Sequence, residues 1–255
     1  MSMPQRRQYL GNSFRALSTP CLLLDEQRMN NNISRLKTRL ATAGVEFRPH
    51  LKTAKSIEIG RRLVTGANGP ATVSTLREAE AFASSGITDL TYAVGISPCK
   101  LPRVQSIRRR GVALTILLDS VEQADAVAAV SNPDDPIPVL IELDCDGHRS
   151  GVKPRDSELL LAIARKLKPS ASLQGVLTHA GESYEAGSAA ALKAAAENER
   201  ASVVTAAQIL RAHGHACPVV SVGSTPTAHV ADSYEGVTEV RAGVFVFFDL
   251  VQVGI

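Results

Sequence analysis

Short apolar runs alternate along the chain with longer segments whose apolar residues recur every three or four positions. The runs are typical of buried strands, and the longer segments are typical of amphipathic helices. Helices are predicted over Glu26–Ala43, Ser56–Val64, Leu76–Ser84, Pro102–Arg110, Val121–Val130, Ser157–Leu167 and Ala189–Ala212. Strands are predicted over Val45–Lys52, Ala71–Ser74, Leu90–Val94, Ala113–Asp119, Val139–Asp144, Leu173–Thr178, Val219–Val222 and Thr238–Ala242.

This alternation predicts an α/β protein with a parallel sheet and right-handed crossovers. Eight strands after the first helix favour a closed (β/α)8 barrel of the TIM type. The open, doubly wound alternative needs a glycine-rich GxGxxG turn after its first strand, and the sequence has none. A further strand over Cys21–Asp25 falls outside the barrel count.

Composition adds limits on compartment and partners. The 255 residues carry 28 Lys and Arg against 25 Asp and Glu, and this small excess gives no argument for nucleic acid or an anionic membrane as a partner. Four scattered cysteines without a CxxC pair indicate reduced thiols. The polar first ten residues lack the apolar core of a signal peptide, so we expect a cytoplasmic protein.

Candidate chemistry is expected at the carboxyl ends of the strands, where barrels of this type carry their reactive groups. In the first strand, alternation places Glu46, Arg48, His50 and Lys52 on one polar face, which we expect to point into the barrel. A lysine at the mouth loses hydration and meets cationic neighbours, and both favour the neutral amine that forms a Schiff base with a carbonyl. The alternative is that Lys52 and Lys55 are ordinary surface lysines.

Two further strand ends carry groups that bind anions or rings. Arg149 lies in a tight loop between Gly147 and Gly151 and can bind an anionic oxygen, or it pairs with an aspartate in a plain helix-entry turn. The neighbouring cysteine, histidine and aspartates match no standard metal spacing. His179 follows an apolar strand and can orient a ring, or it is a hydrogen-bonded structural histidine.

The segment Gly223–Thr227 follows the seventh strand and enters a helix with Pro226 near its start. Free N–H groups and the hydroxyls of Ser224 and Thr225 suit a phosphate, and the loops after strands seven and eight often bind one in these barrels. The alternative is a capped turn without a ligand. A lysine, an arginine, a histidine and a phosphate loop, each at a different strand end, together indicate a phosphorylated aldehyde held by the lysine: pyridoxal 5′-phosphate.

Four motifs resemble a known family in their order along the chain: Thr19–Asp25 (TPCLLLD), Arg48–Thr53 (RPHLKT), Val73–Ala79 (VSTLREA) and Gly223–Thr227 (GSTPT). They resemble the D-threonine aldolase and eukaryotic-type D-serine dehydratase family, a branch of the alanine racemase-like, fold-type III pyridoxal-phosphate enzymes. The combination of RPHxKT with GSTPT is specific, although either motif alone is not.

The resemblance implies roles for individual residues. Lys52 corresponds to the lysine that binds the cofactor, with His50 beside it. Arg149 corresponds to an arginine near the phenolic oxygen of the cofactor, and His179 to a histidine beside the pyridine ring. Tyr184 corresponds to a tyrosine that lines the pocket. The phosphate loop of the family corresponds to Gly223, Ser224 and Thr225.

The sequence departs from the family in three ways. Relatives often carry a histidine near Glu182 or Ser183 that is linked to a divalent metal and the β-hydroxyl of the substrate, and this sequence has none there. Phe245 stands where a tyrosine is frequent, which removes a possible hydrogen bond to the phosphate. Family members also continue into a C-terminal β-domain that supplies metal ligands and part of the site, partly across a dimer. We therefore expect an N-terminal segment over residues 1–25, a barrel over 26–242 and the start of a truncated β-domain over 243–255.

The resemblance implies a lyase that acts on small D-3-hydroxyamino acids through a Schiff base on Lys52, as an aldolase or a dehydratase. A divalent metal, Zn²⁺ or Mn²⁺, and a homodimer are implied for a full-length form. Two alternatives stay open: a non-catalytic barrel that binds pyridoxal phosphate for cofactor homeostasis, and an amino-acid racemase.

Overall fold

Eight parallel strands and eight α-helices alternate in a computed structural model that describes residues 17–167, 170–250 and residue 252. The strands are β1 (Glu46–Phe47), β2 (Ala71–Val73), β3 (Asp89–Gly95), β4 (Ala113–Leu118), β5 (Pro138–Leu143), β6 (Ser172–Thr178), β7 (Val219–Val222) and β8 (Glu239–Val240). The helices are α1 (Glu26–Thr42), α2 (Ile57–Leu63), α3 (Leu76–Ala83), α4 (Leu101–Arg108), α5 (Val121–Val130), α6 (Ser157–Leu167), α7 (Ala189–Ala212) and α8 (Thr225–Val230).

The strands form one sheet in the order β1-β8-β7-β6-β5-β4-β3-β2, and backbone hydrogen bonds join its two ends. Just beyond β1, the N–H of Leu51 donates to the Thr72 carbonyl on β2 (2.9 Å), and the N–H of Thr72 donates back to Pro49 (2.8 Å). The predicted (β/α)8 barrel is confirmed. Because all the strands are parallel, their carboxyl ends surround one opening of the barrel, here called the mouth.

Helix entry follows from the residues before each helix. Thr75 caps α3 in a reciprocal capping box with Glu78, because the Glu78 N–H donates to the Thr75 hydroxyl (3.0 Å) and the Glu78 carboxylate accepts from Thr75 N–H (3.2 Å). Such a cap stabilises a helix by about 1 kcal/mol. Side-chain caps also begin α1, α2, α5, α7 and α8, at Asp25, Ser56, Ser120, Ser188 and Ser224.

Two apolar layers hold the barrel together. The larger lies between the helices and the outer face of the sheet, and the smaller fills the inside with Leu117, Leu140 and Leu177 from three adjacent strands. Because side chains alternate along a strand, the residues two positions later also face inward, one layer nearer the mouth. Those positions are Asp119, Glu142 and His179. The interior therefore changes from apolar to ionisable as it approaches the opening.

Below the mouth, Arg48 is held inside the barrel between two carboxylates. Its guanidinium lies 2.7 Å from Glu239 on β8 and 2.6 Å from Asp89 at the start of β3. Glu239 is buried and also accepts the Ser221 hydroxyl at 2.6 Å. This part of the predicted inward polar stripe is thus a structural ion pair that links three strands.

Two predicted barrel strands are shorter than expected. β1 and β8 contain two residues each, although hydrogen bonds between their chains continue to the His50 N–H and the Ala242 carbonyl (2.9 Å). Pro49 has no N–H to donate toward β2, which interrupts regular pairing there. Lys52 consequently lies in a turn just past the end of β1 rather than within a strand.

The strand predicted near the start of the chain is absent from the structure. No strand forms over residues 21–25, where Leu22, Leu23 and Leu24 are exposed and pair with no strand among the described residues; residues 1–16 lie outside the described part. At the other end, the short 3-10 helix Val244–Val246 packs on α1, and Phe245 is fully buried. A β-domain that starts at residue 243 stays a prediction. None of the helices in the described ranges has the length and apolar character needed to cross a membrane.

Candidate functional site

Lys52 lies at the rim of the mouth, in the turn that follows β1. Its side chain is exposed to the opening, yet surrounding protein lowers the pKa of its amine. The largest cause is that the surrounding protein shields the amine from water. The nearby cations Arg149 and Arg241 lower the pKa further, while Glu78 raises it. Both effects favour the neutral, nucleophilic amine, which is the direction expected from the sequence.

Two neutral histidines flank the interior side of Lys52. His50 accepts the Lys52 backbone N–H at Nδ1 (3.4 Å), so its Nε2 carries the hydrogen toward the Ser74 hydroxyl (3.3 Å). His179 has the opposite tautomer, because its Nδ1 bonds to the Gly223 carbonyl oxygen, which only accepts. Burial, followed by charges that include Lys52, lowers the pKa of His50 well below its usual range and that of His179 to about 3.

Two arginines give the mouth its positive charge. Arg149 reaches across Gly181, where a Cβ would lie 2.9 Å from its Cδ, and none of the described carboxylates lies within 4 Å of its guanidinium. Arg241 is buried after β8 and donates to the Ser221 hydroxyl (2.8 Å) and the Thr178 carbonyl. Burial lowers the pKa of Arg241, and the buried acid Glu239 opposes this.

The predicted phosphate loop after β7 is tied down from the outside by Glu199 on α7. Glu199 is fully buried, and one carboxylate oxygen accepts the N–H groups of Ala180 (2.9 Å) and Gly223 (3.0 Å). The other accepts the Thr227 hydroxyl (2.7 Å). The N–H and the carbonyl of Gly223 are therefore both bonded within the protein, to Glu199 and His179. Gly223 shapes the loop, and an anion bound there would contact the neighbouring residues of the loop instead.

The hydroxyl residues of this loop form a chain that reaches the predicted pocket. Ser224 caps α8, and its hydroxyl lies 2.9 Å from that of Ser183. Thr225 donates its N–H to the Tyr184 hydroxyl at 3.4 Å, the longest bond of the group. The Tyr184 ring lies 6.1 Å from the His179 ring at a tilt of 32°. Tyr184 thus stands between the loop and the histidine.

The structure brings all the predicted site residues to one end of the barrel: Lys52, His50, Arg149, His179, Tyr184, Gly223, Ser224 and Thr225. With both histidines neutral and the amine of Lys52 shifted toward its neutral form, Arg149 and Arg241 are the cations of the mouth, and Arg149 has no ion-pair partner within the described ranges. An anionic ligand with a carbonyl group fits this arrangement, because a low-pKa amine and an unpaired guanidinium face the same space.

Sequence reasoning missed four charged residues of the site. Glu239 on β8 and Arg241 just after it lie two positions apart, and that spacing on an inward strand face is the signal that indicates them. Glu199 occupies the apolar stripe of α7 among Leu192, Ala196 and Val203, which marks a buried acid. The fourth is Glu142, two positions after the interior Leu140 on β5.

The expected Zn²⁺ or Mn²⁺ has no donor set within the described part of the chain, where no three His, Cys, Asp or Glu side chains are grouped to hold a metal ion. His148 and Glu182 form an exposed pair at 3.4 Å and make no larger cluster with other described ligands. No chemical step is therefore assigned to a metal.

Comparison with known proteins gives a consistent picture. The family described as alanine racemase, N-terminal domain, matches residues 24–251. A D-threo-3-hydroxyaspartate dehydratase from Delftia sp. (strain HT23) is 52% identical over 92% of this chain and 63% of its own length. Its solved structure superposes with a TM-score of 0.89, covering 93% of this chain and 63% of that one.

Two more distant relatives carry related names. A D-serine dehydratase from Dictyostelium discoideum is 30% identical over 92% of this chain and 64% of its own length. A D-threonine aldolase from Arthrobacter sp. is 28% identical over 94% of this chain and 63% of its own length. The resemblance drawn from the motifs is confirmed, and the chain spans slightly less than two thirds of the relatives it matches.

Proposed function

The chain belongs to the alanine racemase, N-terminal domain family, and on that basis we propose that it holds pyridoxal 5′-phosphate on Lys52 and forms the barrel of a lyase for D-3-hydroxyamino acids. The observation that carries this proposal is the position of Lys52. Its amine lies at the mouth with a lowered pKa, near Arg149 and Arg241, and the loop after β7 ends at the same mouth. An amine in that state is the group that can capture an aldehyde.

The residues around Lys52 suit the other parts of such a cofactor. Arg149 has a free fork of donors for an anionic phenolic oxygen. His179 is neutral, and its ring is fixed through Gly223, so it can lie beside an aromatic ring without adding charge. The phosphate is assigned to the loop region of Ser224, Thr225 and Tyr184.

Pyridoxal phosphate, when bound, withdraws electrons from the Cα atom of an attached amino acid. The chain itself supplies proton transfer and orientation. A neutral Lys52 amine can accept the Cα proton, because burial and then the cations Arg149 and Arg241 lower its pKa and so favour the unprotonated form. Arg149 and Arg241 hold the substrate region positive, which favours binding of an α-carboxylate.

Among the lyase reactions, we propose dehydration, because the Delftia relative at 52% identity is named a dehydratase. Loss of the Cα proton and of the β-hydroxyl releases water, and hydrolysis of the resulting imine consumes water and releases ammonia. For D-threo-3-hydroxyaspartate the net products are oxaloacetate and ammonia. Cleavage of the Cα–Cβ bond to glycine and an aldehyde is the aldolase alternative.

A product assay tests the proposal. Purified protein is loaded with pyridoxal phosphate and incubated with D-threo-3-hydroxyaspartate, D-serine or D-threonine, with and without Mn²⁺ or Zn²⁺. We expect a 2-oxo acid and ammonia in equal amounts, with the L-enantiomers as controls. Formation of glycine and an aldehyde would show that the reaction is aldol cleavage and not dehydration. Loaded protein that turns over none of the D-substrates would contradict a lyase, and formation of the opposite enantiomer would indicate a racemase.

A further inference from the structure

Glu142 is an acid in the barrel mouth to which the proposed reaction gives no role. It lies on β5 two positions after Leu140, which belongs to the interior apolar cluster, so its side chain faces inward one layer higher. Its Oε2 atom is 3.9 Å from the place where a Cβ on Gly95 would stand, and the glycine leaves the carboxyl room in the opening.

The loop that carries Arg149 leaves β5 just after Glu142, and its far end bonds back to the backbone of Glu142. The Val152 N–H donates to the Glu142 carbonyl at 2.9 Å, and the Asp144 N–H donates to Val152 at 3.0 Å, so the loop folds back onto the end of β5. Asp144 Oδ1 accepts the N–H of Gly147 at 2.8 Å and that of Arg149 at 3.4 Å. Hydrogen bonds therefore hold the loop of Arg149 in place, and this loop is attached to β5 next to Glu142.

The carboxyl group of Glu142 makes no hydrogen bond to the described residues, whereas the buried acids Glu199 and Glu239 are bonded on their oxygens. The groups that face it are the acids Asp119 and Asp144 and the cations Arg241 and Arg149. Burial and the Asp119 charge are the two largest causes that raise the pKa of Glu142, to about 7, against the attraction of the arginines. Its charge therefore changes near neutral pH.

We propose that Glu142 is a positioning residue, whose carboxylate draws the Arg149 guanidinium over the mouth toward the cofactor on Lys52. Two facts support this role: Arg149 has no ion-pair partner within 4 Å among the described acids, and Glu142 lies at the end of β5, where the Arg149 loop starts and returns, with a carboxyl group that has no hydrogen bond to the described residues. The role toward the cofactor rests on the proposed function, while the attraction between the two side chains is a property of the protein itself.

A double-mutant cycle on cofactor affinity tests the proposal. The dissociation constant for pyridoxal phosphate is measured at pH 8.5, where Glu142 is ionised, for the wild type, Glu142→Gln, Arg149→Gln and the double variant. Loss of positioning should weaken binding about tenfold in Glu142→Gln, within the usual range of coupling between interacting residues. In the Arg149→Gln background, the same change should leave binding equal or tighter, because it only removes a negative charge near an anionic ligand.

Three comparisons separate positioning from a general effect of charge. Asp119→Asn removes a neighbouring carboxylate and should leave binding equal or tighter. Glu142→Asp keeps the charge and should restore most of the affinity. The effect of Glu142→Gln should also disappear at pH 5.5, where the wild-type carboxyl is protonated. Equal or tighter cofactor binding in Glu142→Gln at pH 8.5 would overturn the proposal.

A cofactor-free arm keeps the inference distinct from the proposed function. If the wild type binds no pyridoxal phosphate, the proposed function fails, and the titration of Glu142 is followed by ¹³C NMR in the free protein. Arg149→Gln should raise the pKa of Glu142, because it removes an attracting cation, and Asp119→Asn should lower it. A Glu142 titration that is unchanged by Arg149→Gln would contradict any coupling between the two residues.

Discussion

The Glu199 carboxylate accepts the backbone N–H of Gly223 at 3.0 Å, although Glu199 lies on α7 outside the barrel and Gly223 at its mouth. The same oxygen accepts the N–H of Ala180 at 2.9 Å, so one buried acid joins the ends of β6 and β7. His179 and the loop before α8 are thereby fixed relative to each other. The geometry of the site depends on a residue that does not reach it.

Substitution Glu199→Gln should destabilise the protein. The amide keeps one acceptor oxygen but places N–H groups against donors, which leaves buried backbone N–H or hydroxyl groups without partners. Each such group costs about 1–3 kcal/mol. Urea unfolding measures the change, and Glu197→Gln on the exposed face of the same helix is the matched control, with less than about 1 kcal/mol expected. Equal effects of the two substitutions would show that Glu199 does not join the strand ends.

Gly223 should tolerate no side chain. A Cβ at this position would collide with the carbonyl oxygen of Arg241 on the neighbouring chain segment, which is backbone and cannot rotate away. We expect Gly223→Ala to cost about 3 kcal/mol or more in the free energy of unfolding, or to prevent folding. Gly187→Ala, where a Cβ meets open space, should change it by less than about 0.5 kcal/mol. A stable Gly223→Ala variant would contradict the close approach of the two segments.

Breaking the interior ion pair of Arg48 with Glu239 and Asp89 should lower the free energy of unfolding far more than breaking a surface pair. Arg48→Met leaves the buried Glu239 without its cation and is expected to destabilise by about 3–5 kcal/mol. Arg103→Met removes the exposed bond to Glu80 and should cost less than about 1 kcal/mol. Urea unfolding of both variants checks this ordering, and a reversed order would contradict it.

His229 should make the protein less stable in acid. Burial lowers its pKa to about 4, its Nε2 is buried without a hydrogen bond, and an unfolded histidine titrates near 6.5. Between these values the unfolded chain binds the proton first, so the free energy of unfolding falls as pH decreases from about 6.5 to 4, by at most about 1.4 kcal/mol per pH unit for one proton.

The substitution His229→Leu should therefore flatten this slope, measured by urea unfolding at several pH values with pH 7.5 as the reference. The slope should decrease and not vanish, because His50 and His179 also have lowered pKa values and act in the same direction. An unchanged slope would show that His229 is not protected from protonation in the folded state.

The alternation of apolar patterns was enough to predict every barrel strand and the closed barrel, because a buried parallel strand and an amphipathic helix each leave a local signature. The bounds of α5, α6, α7 and β7 agree with the prediction. The strand predicted at Cys21–Asp25 is wrong, since an apolar run needs a partner to become a strand, and the sequence does not show whether one is present.

The site was partly predictable for a similar reason. Strand ends indicate which residues surround the mouth, and these included Lys52 and His179. They do not indicate which groups pair, so the use of the Gly223 N–H by Glu199 was not predictable. Phe245 was noted for the hydroxyl it lacks, and in the structure it packs edge-on against Phe47 at 5.5 Å in the core.

Covalent capture of the cofactor tests the central claim most directly. Protein incubated with pyridoxal 5′-phosphate is reduced with borohydride, digested and mapped by mass spectrometry, alongside Lys52→Arg and Lys55→Arg. We predict a pyridoxyl group on Lys52 in the wild type and in Lys55→Arg, and none at that peptide in Lys52→Arg. Labelling spread over surface lysines, or unchanged in Lys52→Arg, would contradict the assignment of Lys52 as the cofactor lysine.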